Sequence, residues 1–314
     1  MTRRVLGAAL IALALGFGMI HAALIQPELV STLANAGADQ KYPVEFFMKH
    51  QANALSLDAS IPDLPKPLRR ARVAQVLQQH SAATQHDLLA YLNSASGKVD
   101  DVRSLWICNL VSCWATKDVI YQVATRNDVD IVLYSRVPVE LGKLSLNVPP
   151  PPHDGIEPNM VTTNVRGAWK QGYHGENVVL GVVDTGVWYT HDDLTNHLWQ
   201  STAYPNHGFN FASDQFSSGH PGPSTYDTLT PLDYYGHGTH CAGIATADGA
   251  YGNGTNDTMG IAPATMLMCL PVDVYLHSPF PDTSMENNTL LGFQFCVSPP
   301  RDPTNGADAI TTSL

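Results

Sequence analysis

The chain has 314 residues, of which 44% are hydrophobic and 14% charged, enough apolar material for two globular domains. Its net charge of −11 leaves no basic face for phosphates, which excludes a nucleic-acid partner. The chain opens with Arg3-Arg4, an apolar run from Val5 to Ile20, and then His21-Ala22-Ala23. A charged, apolar, small-residue order is that of a secretory signal peptide, here residues 1–23. The expected location is extracellular, with no stable membrane association; a retained membrane anchor is the alternative. Secretion permits disulfides, and the five cysteines are Cys108, Cys113, Cys241, Cys269 and Cys296.

Residues 42–141 read as a separate α/β unit. Apolar Val73, Val76 and Leu77, then Leu88, Leu89 and Leu92, recur at helical spacing and predict a helix over Arg72–Leu92. Strands are expected at Ser104–Ile107 and Leu110–Ser112, around Asn109, then a helix over Thr116–Thr125 and a strand over Val129–Tyr134. Residues 142–158 contain Pro149-Pro150-Pro151-Pro152, a stiff extended linker. In the last region, 159–314, Val178-Val179-Leu180-Gly181-Val182-Val183 is apolar or glycine throughout and runs into Asp184-Thr185-Gly186. Such a run predicts a strand buried on both faces, as in a parallel sheet. Active sites of open α/β sheets lie at the carboxyl ends of these strands, which is where Asp184 falls. The Ser-, Gly-, Pro- and Asp-rich stretch from Ser213 to Thr230 predicts a surface excursion.

The densest signal is Gly236-His237-Gly238-Thr239-His240-Cys241-Ala242-Gly243. Glycine costs a helix about 0.8–1 kcal/mol relative to alanine, so two glycines around one histidine point to close backbone approach at a reactive centre. An imidazole can take the proton of a hydroxyl nucleophile, and it needs a buried carboxylate on its other nitrogen to fix the tautomer. Asp184 and His237 are the candidates for those two roles. At the start of a helix the dipole disfavours the imidazolium and keeps His237 ready to accept a proton. Asp-Thr-Gly also occurs in aspartic proteases, but that chemistry needs a second carboxylate of the same kind, and no second tripeptide exists. His240 could share a helix face with His237, but no His-Glu-x-x-His pattern or third ligand accompanies it, so no metal site is expected and His240 is read as packed. With Cys241 taken as a buried free thiol in the helix, Cys269 and Cys296 are the expected bridge, although spacing alone does not set connectivity. Sequons occur at Asn253, Asn256 and Asn287.

Together, the Asp184 strand and the His237 octapeptide resemble the subtilisin-like serine proteases, the subtilases. Asn164–Tyr173, Gly260–Pro263, Gly292–Phe295 and Ala307–Leu314 are similar to the bacillopeptidase-F-like branch. Arg103–Asn109 with Ala115–Val129 resembles the prosegment of that family. The resemblance implies a partial parallel-sheet catalytic domain over 159–314, preceded by a small ferredoxin-like prosegment over 42–141 that assists folding and occupies the active-site groove. Maturation would fall in the 142–158 linker. It implies a serine-type endopeptidase zymogen acting on polypeptides, with no cofactor needed for the chemistry and Asp193 matching a structural calcium ligand. Ser313 and Leu314 match the start of the strand that pairs with substrate backbone. The family's nucleophile motif, Gly-Thr-Ser-Met-Ala-x-Pro, is missing. Asp282-Thr283-Ser284-Met285-Glu286 departs from it at both flanks and comes only 47 residues after His237, so Ser284 reads as a helix start. The chain is therefore expected to stop short of its serine and to be inactive as it stands; the alternative is a catalytically dead pseudoprotease or a prosegment-type inhibitor.

Overall fold

The computed structural model describes residues 22–61, 63–135, 158–212, 230–250, 259–272 and 283–313. Alternation in strand β2, below, sets the first core: Tyr42, Val44, Phe46 and Met48 point one way and all are buried. The elements of this unit are β1 (Leu24–Ile25), α1 (Pro27–Ala34), β2 (Lys41–Met48), α2 (Ala54–Ser60), α3 (Lys66–Ser94), β3 (Val99–Leu105), β4 (Leu110–Thr116), α4 (Lys117–Ala124) and β5 (Val129–Tyr134). The sheet order is β1-β5-β2-β4-β3, and β5-β2-β4-β3 is antiparallel throughout. A β-α-β-β-α-β chain in that order is the ferredoxin-like arrangement. Helices α3 and α4 cover one face, with Leu88, Leu92, Val119, Ile120 and Val123 in its core.

The unit starts earlier than residue 42. Strand β1 pairs in parallel with β5, Leu29 and Leu33 of α1 are fully buried, and Ala23 N–H donates to Ala124 O at 2.7 Å. Residue Ala23, read as the end of the signal segment, thus lies in the folded core, while residues 1–21 lie outside the described residues. The short β1 carried no periodic signal of its own. Helix α3 extends beyond Arg72–Leu92 at both ends, and Trp106 and Ile107 leave the strand for a turn ending at Asn109, which has φ 44°. Asn109 fixes that turn: its Oδ1 accepts from Gln85 Nε2 at 3.0 Å and its Nδ2 donates to His50 O at 2.9 Å.

Residues 136–157, the bulk of the linker, lie outside the described residues. The second unit follows as α5 (Pro158–Thr162), α6 (Val165–Trp169), β6 (Val179–Asp184), a 3-10 turn at Thr195–His197, α7 (His237–Thr246), β7 (Met266–Pro271), α8 (Thr283–Val297) and β8 (Ala309–Thr311). Its sheet is parallel, ordered β7-β6-β8, with the Asp184 strand in the centre. One face packs Val179, Val183, Met268 and Leu270 against Phe295 and Cys296 of α8; the other packs Val182, Leu267 and Cys269 with Ala242 of α7. Strand β8 pairs with β6 on one side, and its Ile310 is 39% exposed. The loop Ser213–Thr230 falls, but for Thr230, outside the described residues.

The two units share a seam. Gln294 Oε1 of α8 accepts from the N–H groups of Trp106 and Ile107, at 2.6 and 3.3 Å. Arg103 Nη1 donates to Asn288 Oδ1 at 2.9 Å, and Asn287 Nδ2 donates to Ser112 Oγ at 2.7 Å. That last contact corrects the sequon reading, because Asn287 is buried against the first unit and offers no room for a sugar.

The expected Cys269–Cys296 bridge is also corrected. Cys269 pairs with Val182 in register and shares its face, whereas Cys296 Sγ sits against Gly181, on the opposite face of the sheet. A β-carbon on Gly181 would lie 2.3 Å from that sulfur, so the glycine makes the space it occupies. Cys269 and Cys296 are free thiols, as are Cys113 and Cys241; burial pushes Cys113 up to about 12 and raises Cys269 and Cys296 as well. Thiol titration of the unfolded, unreduced chain is expected to count five reactive sulfurs, whereas native protein should expose only Cys108 and Cys241. A count of three after unfolding would show a bridge that this fold forbids.

Candidate active site

Asp184 is the last residue of the central strand and is 1% exposed. Its Oδ1 accepts from the Thr185 N–H at 2.7 Å and meets His237 Nδ1 at 2.7 Å. A carboxylate on Nδ1 holds the proton there in the neutral imidazole and leaves Nε2 as the basic nitrogen. The His237 side chain keeps 14% of its surface open, so the ring bridges a buried carboxylate and the outside. Asp184 and His237, 53 residues apart in sequence, are therefore brought into one pair.

The glycines around His237 have separate reasons. Gly236 precedes α7 with φ 96°, a left-handed turn that starts the helix. At Gly238 a β-carbon would fall 2.1 Å from Gly186 O and 3.1 Å from Asp184, so only glycine lets the helix approach the strand end closely enough for the pair to form.

A second aspartate holds this junction together. Asp233 Oδ1 accepts from the N–H groups of Tyr235 and Gly236, at 2.9 and 2.8 Å, and its Oδ2 from Thr239 N–H and Oγ1, at 2.9 and 2.5 Å. Thr185 Oγ1 donates to Asp233 Oδ1 at 3.0 Å and accepts from Gly238 N–H at 2.8 Å. Thr239 Oγ1 in turn accepts from Trp188 N–H at 2.9 Å. The start of α7 is thus capped by a carboxylate reached from the preceding loop and tied to the residue after Asp184. The sequence reading passed over Asp233, Thr185 and Thr239. An aspartate just ahead of a helix start was the available signal.

Other candidates fall into place around the pair. His240 is exposed, not packed, because its position on α7 points away from the strand. Cys241 is half-buried, not buried: one helical turn beyond His237, its Sγ lies 3.9 Å from His237 Nδ1. Burial raises the Cys241 thiol, against a lowering hydrogen bond from Ser313, so it stays protonated and makes a poor nucleophile. Ser313 is exposed and reaches the pair through that cysteine; Leu314 lies outside the described residues. Ligand atoms of Asp184, His237 and Cys241 lie within 4.8 Å of one another, but a metal there would have to break the 2.7 Å hydrogen bond. Asp193 is 8% exposed and its carbonyl accepts from Asp248 N–H at 3.0 Å. Ser284 lies in the first turn of α8.

A carboxylate at the end of a central parallel strand, bonded to a histidine at a helix start, defines an α/β protein with a built acid–base pair. Residues 175–288 match the model of Peptidase S8, the subtilase family. Bacillopeptidase F of Bacillus subtilis (strain 168) is 28% identical over 210 residues, which cover 62% of this chain and 14% of that protein. The halolysin-like extracellular serine protease Nep of Natrialba magadii is 33% identical over 125 residues, covering 39% of this chain and 20% of its own length. Among solved structures, the epidermin leader peptide processing serine protease of Staphylococcus aureus aligns over 86% of this chain and 50% of that one, at 16% identity and a TM-score of 0.47. The chain thus spans a small part of the curated relatives it matches.

Replacing Asp233 by Asn keeps the shape but turns one oxygen into a donor facing Thr239 N–H. Loss of that acceptor is expected to cost about 1–3 kcal/mol, read by urea unfolding. An Asp233→Asn variant as stable as the parent would show that the carboxylate does not hold the junction.

Proposed function

We propose that the chain belongs to a secreted subtilisin-like serine endopeptidase, made as a zymogen, with residues 22–135 as its inhibitory prosegment. The observation that carries the reading is the 2.7 Å bond between Asp184 and His237 at the carboxyl end of the central strand. In it Asp184 fixes the imidazole and stabilises the imidazolium, and His237 Nε2 takes the proton of a serine hydroxyl and returns it to the leaving amine. No serine of residues 1–314 stands in the nucleophile motif, so these residues supply the acid–base half of the reaction. Polypeptides are the substrates of this reading.

Support for the zymogen reading comes from the ferredoxin-like unit and its seam on α8. Support for an extracellular location comes from the charged, apolar, small-residue opening and from the word extracellular in the name of the Natrialba relative. Among the described residues no helix is long and apolar enough to cross a membrane.

A serine-directed fluorophosphonate is expected to leave residues 1–314 unlabelled, and stoichiometric labelling at Ser284 would sink the assignment. In protein carrying the serine motif, Asp184→Asn should lower turnover of a peptide substrate by about 10⁴-fold, the size of effect when a histidine loses its orienting carboxylate. Undiminished turnover would remove Asp184 from the mechanism.

A further inference from the structure

Within the seam, the Arg70 guanidinium makes three contacts to the second unit. Arg70 Nη1 donates to Ala307 O at 3.1 Å and to Asp308 Oδ1 at 2.7 Å, and Nη2 donates to Thr304 O at 3.1 Å. Both side chains are largely enclosed, Arg70 at 15% and Asp308 at 11% exposure. Three acceptors at these positions match the fixed fork of a guanidinium, which an ammonium cannot span.

The acceptors are held by the second unit itself. Asp308 N–H donates to Val179 O at 2.7 Å, and Asp308 Oδ2 accepts from Val179 N–H at 3.0 Å, which seats the carboxylate at the start of β6. Ala307 N–H donates to Cys296 O at 2.6 Å. Asn305 accepts from Trp199 Nε1 and donates to Gln200 O and Asp302 Oδ2, all between 2.9 and 3.0 Å. The cup is thus preorganised from one side. Burial alone would raise the Asp308 carboxyl, yet hydrogen bonds from Lys66 and the Val179 N–H, with the charges of Lys66 and Arg70, hold it below its ordinary value.

The helix that delivers Arg70 is built against its own interest. Lys66, Arg69 and Arg70 open α3, whose first turn has no acidic residue and no side-chain cap, so three cations sit near the positive end of the dipole. Asp308 is an anion against this end, pairing with Arg70 through Oδ1 at 2.7 Å and with Lys66 Nζ through Oδ2 at 2.9 Å.

We propose that Thr304–Asp308 is a guanidinium-binding site of the second unit, filled in cis by Arg70 and open to other arginine side chains when the first unit leaves. It is separate from the Asp184–His237 pair, and its opening to other arginines rests on the prosegment reading above. The test uses the full chain with Arg70→Ala, Arg70→Lys and Arg70→Ala/Asp308→Asn. Arg70→Ala should speed limited proteolysis at the seam about tenfold, as expected when one partner of an enclosed ion pair is removed. Millimolar ethylguanidinium should restore the resistance of Arg70→Ala, ethylammonium at the same concentration should not, and the double variant should respond to neither. Equal rescue by both cations, or wild-type resistance in Arg70→Ala, would overturn the proposal. Should Arg70→Ala fail to fold, Arg70→Lys decides: resistance equal to wild type would reduce the contact to an ordinary ion pair, and resistance near that of an unjoined chain supports the fork.

Discussion

The Asp233 carboxylate is the constraint on which the site depends. Two oxygens take three backbone N–H groups and two hydroxyls, from Thr185, Tyr235, Gly236 and Thr239. These donors come from two places, the residue after the central strand and the first residues of the helix. Charge-assisted hydrogen bonds are about twice as strong as neutral ones, so strand end and helix start behave as one piece. The Asp184–His237 distance is then a consequence: the ring is placed by backbone that Asp233 fixes, and Gly238 removes the only atom that would keep the helix off.

Much of this was legible. A run of apolar residues ending in Asp184 could hardly be other than a two-faced buried strand, and glycines around His237 announced a close approach. The ferredoxin-like unit was legible through its helical spacing and strands, although Leu24–Ile25 and α1 were not, because a two-residue strand has no period to detect. Where the reading failed, the reason was three-dimensional. Cys269 and Cys296 look like a pair along the chain, but the period of a strand places them on opposite faces. His240 looked packed because its neighbours are small, and the helix rotates it outward. Asp233 was overlooked because it caps from a turn, three residues ahead of the cap position itself.

The seam was wholly invisible in sequence, since Arg70 and Asp308 are 238 residues apart. Polar side chains carry the contacts reported there: Gln294, Asn287, Asn288, Arg103 and Arg70. Interfaces between units of one chain are more polar than cores and separate more readily. Asn287 shows the same economy of surface, a sequon by pattern and an interior amide by position.

Helix α3 has a mechanical consequence. Its 29 residues form one rod, with Leu88 and Leu92 set in the core of the first unit and Arg70 at the far end on the second. From Arg70 to Leu92 the rod measures about 33 Å at 1.5 Å per residue. A tilt of roughly 5° about the buried end would move the tip by about 3 Å, about the length of a hydrogen bond.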